Sequence, residues 1–70
     1  MKYRLHHNLI HLRSKRGLTQ LDMAKVIGKK NEAIYRHYES GFSTPTVHTL
    51  KILADFFKIS IDELCYSTIK

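Results

Sequence analysis

The segment from Gly17 to Gly28 constrains the fold more than any other part of the chain. Thr19 is placed to cap a helix beginning at Gln20, because its hydroxyl accepts amide protons that a first turn leaves without partners. Asp22, three residues on, can reach back to the Thr19 amide and complete a capping box, with Asp where Glu is usual. Met23, Ala24 and Ile27 then share one face at helical spacing, and Gly28 supplies the left-handed residue that ends the helix. A second helix is expected to start near Asn31, directly after the turn.

Seventy residues allow one small domain, with a net stability of roughly 3–5 kcal/mol. At 43% hydrophobic residues the chain is too apolar for a disordered tail and too interrupted by charge for a membrane span. Met1-Lys2-Tyr3-Arg4 leads into His6, His7 and Asn8 and not into an apolar run, so no secretory leader is expected. A single cysteine, Cys65, excludes an internal disulfide framework and agrees with a reducing, cytoplasmic location.

Charge is unevenly placed. Residues 1–36 carry nine Lys or Arg against Asp22 and Glu32, a balance of +7. Residues 37–70 carry three Lys against Glu39, Asp55, Asp62 and Glu63, a balance of −1. A basic half that also holds the helix pair is the electrostatic footprint of a nucleic-acid reader, and a helix-turn-helix is the motif that sets one helix into the major groove.

Five helical segments can be drawn, and no stretch alternates long enough for a strand. The first is expected from about Tyr3 to Lys15, with Leu5, Leu9 and Leu12 inward; Gly17 stops it. The second runs from Gln20 to Ile27, and the third from Glu32 to Ser40, closed by Gly41. Pro45 makes Phe42-Ser43-Thr44-Pro45 a loop. Thr46 caps the fourth helix, whose inward stripe is expected to be Val47, Leu50, Leu53, Ala54 and Phe57. Ser60 and Glu63 form a second capping box, opening a last helix through Leu64. The expected fold is one all-α domain over residues 1–70, with a core region at 5–64 and a tail at 65–70.

In order along the chain stand Leu12-Arg13, Gly17-Leu18-Thr19-Gln20, Met23-Ala24, Ile27-Gly28, Tyr38-Glu39-Ser40-Gly41, Pro45, Thr49-Leu50, Leu53-Ala54 and Ile59-Ser60-Ile61-Asp62-Glu63-Leu64. With these elements the chain resembles the phage-repressor and Cro-like (XRE-type) helix-turn-helix family, from about Leu5 to Leu64. The resemblance implies a compact five-helix, lambda-repressor-like DNA-binding domain with its helix-turn-helix at helices 2 and 3. It also implies that Gln20 contacts phosphate together with the amides of its helix, a role that agrees with the partial positive charge of a helix N-terminus. Arg13 and Glu39 match a pair joining the first helix to the end of the recognition helix; if partly buried, losing one partner costs roughly 3–5 kcal/mol. Ser40, Gly41, Ser43 and Thr44 match a segment whose amides and hydroxyls clasp a second phosphate. Phe42, within that loop, fits a plain surface turn equally well.

One departure from the family pattern leaves two registers open. Glu39 lies eleven residues after Gly28, where the family usually has ten. If the extra residue sits in Gly28-Lys29-Lys30, Asn31 caps the third helix, Tyr35 and Tyr38 point inward, and Glu32, Ala33, Ile34, Arg36 and His37 face out. Otherwise Ile34 points inward and Lys30 must cap, although it has no acceptor oxygen. The first register is favoured on that ground. It makes Asn31, Glu32, Ala33, Arg36 and His37 the candidate base-reading residues, with Lys29 and Lys30 meeting phosphate. Arg36 suits guanine, Glu32 suits a cytosine amino group, and Ala33 or Ile34 suits a thymine methyl. Glu32 and Ile34 are also the residues that argue most against DNA reading, since a misplaced carboxylate repels phosphate.

Other constellations are weaker. His7 and His11 stand four apart on one helix, a metal-ligand spacing without a third ligand, so no metal site is expected. Cys65 has no arguable His-Asp partnership, and the three glycines form no phosphate-cradling loop. No catalytic residues, cofactor, small-molecule ligand or membrane partner are therefore expected. Ile52 and Phe56, off the inward stripe, together with Ile61, Tyr66 and Ile69, are the candidate dimer surface. Broadening of the core under the C-terminal tail accounts for them equally well. The expected function is a sequence-specific double-stranded DNA-binding regulator, a homodimer repressing by promoter occupancy. A protein-interaction module on the same fold and the DNA-binding antitoxin of a toxin pair are the alternatives.

Overall fold

The computed structural model describes residues 3–69. Five helices follow one another: α1 (Leu5–Lys15), α2 (Gln20–Val26), α3 (Ala33–Ser40), α4 (Val47–Phe57) and α5 (Ile61–Tyr66), with no strand among the described residues. Helix α1 packs on α3 and α5, α2 packs on α3 and α4, and α4 packs on α5. Among the described residues no helix is long and apolar enough to cross a membrane.

Local capping chemistry sets the boundaries. The Thr19 hydroxyl accepts from the Asp22 amide at 3.0 Å while the Asp22 carboxylate accepts from the Thr19 amide at 2.9 Å, so the expected box closes. Ser60 and Glu63 make the same reciprocal pair at the start of α5, and Thr46 caps α4. Gly28 (φ 79°) follows the Ile27 C-cap, which is where the second helix was expected to stop.

Several boundaries differ from the sequence expectation. Helix α1 begins at Leu5 and not at Tyr3; Arg4 is its cap, with non-helical φ −130°, its carbonyl accepting from the Asn8 amide at 2.9 Å and its own amide donating to the Cys65 carbonyl at 2.6 Å. Helix α3 begins at Ala33, with Glu32 in the half-turn before it, and α5 continues past Leu64 to Tyr66, with Cys65 buried. Val47, expected in the inward stripe, is 75% exposed. It is the first residue of α4, so its side chain projects past the edge of the core where no neighbour lies opposite.

The core is one cluster of Leu5, Leu9, Met23, Ala24, Ile27, Tyr35, Leu50, Leu53, Ala54, Phe57, Leu64 and Cys65. Leu12, Leu18, Tyr38, Ile52, Phe56, Ile59 and Ile61 pack around it half-buried. Of the dimer candidates, Ile52, Phe56 and Ile61 thus pack against the core while each keeps part of its surface open to solvent. Phe56 also lies against Phe57, and the Arg16 guanidinium covers both rings at 5.3 and 5.0 Å from their centroids. Of the other two dimer candidates, Ile69 is half-buried and Tyr66 is exposed, its ring edge-on to Tyr3.

One polar group enters the core for a reason that spacing does not mark. Asn8 is buried on α1, and its amide donates to the carbonyls of Leu64 at 2.7 Å and Ser67 at 2.8 Å. Those carbonyls belong to the end of α5, where helical partners run out, so Asn8 ties the C-terminal segment to α1.

Candidate nucleic-acid interface

Helix α3 is two-faced. Tyr35 and Glu39 are buried toward α1 and α2, and Tyr38 is half-buried beside them. Ala33, Ile34, Arg36 and His37 are exposed on the other side, and Glu32 is half-exposed at its amino end. This is the register in which the extra residue sits in the turn. The Asn31 Oδ1 accepts from the Ala33 amide at 3.0 Å, a cap that a lysine side chain cannot provide. Asn31 acts from one position before the boundary residue, since the Glu32 carbonyl already accepts from the Arg36 amide at 2.8 Å.

A partly buried polar strut joins α3 to α1 and α2. Arg13 Nε donates to Glu39 Oε2 at 2.6 Å and Nη2 to Oε1 at 3.1 Å, while Nη1 donates to the Leu18 carbonyl at 2.9 Å. One side chain thus joins α1, the connection into α2 and the end of α3. The hydrogen bond to Glu39 raises the Arg13 pKa. Burial alone would raise that of Glu39, but the hydrogen bond from Arg13, the nearby Tyr35 hydroxyl and the Gln20 amide outweigh it and hold the carboxyl below its ordinary range. The Tyr35 hydroxyl is enclosed beside this cluster without a hydrogen bond of good geometry, and burial together with the neighbouring carboxylate pushes its pKa far up.

The candidate phosphate contacts divide into three groups. Lys29 and Lys30 are exposed in the turn before α3. Gln20 is half-buried at the start of α2, and its side-chain amide donates to Glu39 Oε1 at 3.1 Å, which ties it to the strut. In the loop after α3, Ser40, Gly41, Ser43 and Thr44 are exposed. The loop amides, however, are partly committed. Ser43 donates its amide to the His37 carbonyl at 3.3 Å, and Phe42 donates its own to the Ser40 hydroxyl at 3.3 Å. Two of the loop's amides are thus turned to partners on α3, while Ser40, Gly41, Ser43 and Thr44 keep exposed positions at and after the helix end. Thr44 and Ser43 line a recess with Tyr3, His6, Tyr38 and Gly41.

Two side-chain pairings on the outer face were not legible as pairs. Arg36 Nη2 lies 3.3 Å from Glu32 Oε1, both half-exposed. The His37 ring rests 4.7 Å from that of Phe42, which is 79% exposed just past the Gly41 cap. The sequence clue for the first was their separation by one helical turn; for the second there was none, since the bend at Gly41 brings the two rings together.

The comparisons with known proteins agree with this geometry. A helix-turn-helix family model matches residues 9–64. The cryptic phage CTXphi transcriptional repressor RstR of Vibrio cholerae serotype O1 is 49% identical over 47 residues, which are 67% of this chain and 41% of that protein. A transcriptional regulator from Listeria innocua superposes on the whole chain with a TM-score of 0.88 at 27% identity, over 64% of its own length. The chain therefore spans about two-fifths of the first relative and under two-thirds of the second. Four-fifths of its length lies within the matched model, and the chain belongs to the phage-repressor and Cro-like helix-turn-helix family.

Proposed function

We propose that the chain is a sequence-specific double-stranded DNA-binding module of a transcriptional regulator, repressing by occupying a promoter. The observation that carries this reading is the outer face of α3. It is exposed, it follows two exposed lysines at its amino end, and a partly buried ion pair ties its far end to α1. Lys29 and Lys30 would meet phosphate, with Ser43 and Thr44 at the other end of the helix, while Asn31, Glu32, Ala33, Arg36 and His37 face the base edges. The two relatives, named as a transcriptional repressor and a transcriptional regulator, support the same reading.

A single eight-residue recognition helix reaches few base pairs, which favours a homodimer on a two-fold-symmetric site. Half-sites would then lie about 10 bp apart, centre to centre. Selection of bound fragments from a random duplex pool, repeated at several salt concentrations, tests the proposal. An enriched sequence, bound more weakly by roughly 0.9 log units per log unit of salt for each neutralised phosphate, is expected. Absence of enrichment, with binding indifferent to salt, would leave the alternative of a protein-binding groove, which the exposed Ile34 and Phe42 favour. Sedimentation of the free protein and of its complex reads the stoichiometry.

A further inference from the structure

We propose that Glu32 and Arg36 act as one composite reader of a single C·G base pair, with Arg36 donating to the guanine and Glu32 accepting from the amino group of its paired cytosine. The inference rests on the DNA-binding reading of α3 and assigns to that face a base pair and a mode of discrimination.

The geometry comes first. A carboxylate oxygen and a guanidinium nitrogen stand 3.3 Å apart on the outer face of α3, both half-exposed. In a C·G pair, guanine O6 accepts from cytosine N4, at the N–H···O separation of about 2.9 Å, and both atoms show their remaining valence to the major groove. An acceptor and a donor therefore lie side by side on the base-pair edge, spaced almost as the protein's donor and acceptor are. Arg36 can turn its fork to O6 and N7 while Glu32 takes the free N4 proton, and the ion pair need not be dismantled. Guanine is the base that gives the fork two acceptors, and the adjoining donor comes from its own partner.

The charge argues for the same assignment. Glu32 sits in the half-turn before α3, the end of the helix that enters the groove, and its carbonyl is held by the Arg36 amide at 2.8 Å. A carboxylate brought there loses water and faces a polyanion. On a pair that offers it no donor, that cost is uncompensated; on cytosine it is met by a hydrogen bond. Glu32 thus weakens binding to wrong sequences while Arg36 strengthens binding to the right one, and discrimination exceeds what an arginine alone would give.

The test couples residue and base in the selected operator duplex. The guanine is replaced by 7-deazaguanine, which lacks N7, or the cytosine by N4-methylcytosine, whose methyl group takes the place of the groove-facing proton. Each change is expected to weaken the wild-type protein about tenfold. Glu32→Ala should lose almost nothing further from the methylated cytosine, and Arg36→Ala almost nothing from 7-deazaguanine. Glu32→Gln, which keeps an acceptor oxygen, should retain part of the cytosine response. Both Glu32 variants should bind unrelated duplex several-fold more tightly than wild type does. Thermal melts of the three variants check that these exposed changes leave the fold intact. A Glu32→Ala protein that loses as much as wild type from the methylated cytosine overturns the composite reader and leaves DNA binding standing. A wild-type protein that selects no duplex at all overturns both.

Discussion

Arg13 and Glu39, 26 residues apart in sequence, meet in a two-point pair whose shorter contact is 2.6 Å, and the carboxylate is 4% exposed. The same carboxylate accepts from Gln20 on α2, so three helices converge on one buried charge. Arg13→Ala would leave that charge enclosed with only the Gln20 amide and the nearby Tyr35 hydroxyl to meet it. A loss of about 3 kcal/mol is expected, most of the stability available to a domain of this size. Replacing both residues by apolar groups of similar volume, Arg13→Met with Glu39→Leu, should recover much of the loss, since no charge is then stranded. Urea unfolding of the two single variants and the double variant reads this directly. A double variant no more stable than either single one would contradict it.

Acid should remove the strut's contribution. The folded pKa of Glu39 lies below its ordinary value, while in the unfolded chain a glutamate titrates near ~4.3. As pH falls, the unfolded chain takes up the proton first, so stability due to this group is complete above about pH 5 and is lost as pH drops through the folded pKa. Asp22, depressed by its bonds to Thr19, titrates in the same direction. The informative quantity is therefore the difference between wild type and Glu39→Gln. That difference should shrink steadily below about pH 5; a constant gap down to acid unfolding would mean that Glu39 is not ionised in the fold.

What the sequence made legible was short-range. Both capping boxes close within three residues, and Asn31 could be preferred over Lys30 because one carries an acceptor and the other does not. The pairing of Arg13 with Glu39 came through family resemblance, since nothing local marks two charges on separate helices as partners. Asn8 could not be foreseen as buried, because its two acceptors, at Leu64 and Ser67, lie at the far end of the chain. Val47 fits the helical period of Leu50 and Leu53 but stands at the helix start, where periodicity continues and the core does not. Within the candidate site, Glu32 and Arg36 were each assigned to a base, although their spacing of one helical turn already allowed the contact that the fold makes.

The backbone offers a stabilising substitution away from the interface. Lys58 caps α4 at φ 60° and ψ 41°, the only residue other than glycine in the left-handed region among those described. Its exposed side chain has little packing to lose, and relief of left-handed strain is worth about 1 kcal/mol, so Lys58→Gly should raise the melting temperature. Gly28→Ala is the converse case. Beyond its chain neighbours no atom stands within 4 Å of where its methyl group would lie, so the expected loss of about 1 kcal/mol comes from the left-handed backbone alone. Calorimetry of both variants should give shifts of opposite sign.

Lys30 and Arg36 should separate affinity from selectivity. Lys30 is exposed in the turn, where a flexible ammonium can meet a phosphate of any sequence. Lys30→Ala should weaken selected and random duplexes by a similar factor and flatten the salt slope by about one unit per protomer. Arg36 is exposed on the outer face of α3; if it reads base edges as proposed, its removal should cost the selected duplex about 1–3 kcal/mol while leaving random duplex nearly unaffected. The two variants act on different parts of the complex, so their losses on the selected site should add. Titration of both proteins against both duplexes at two salt concentrations distinguishes the roles, and equal losses on the two duplexes for Arg36→Ala would place that side chain on the phosphate backbone instead.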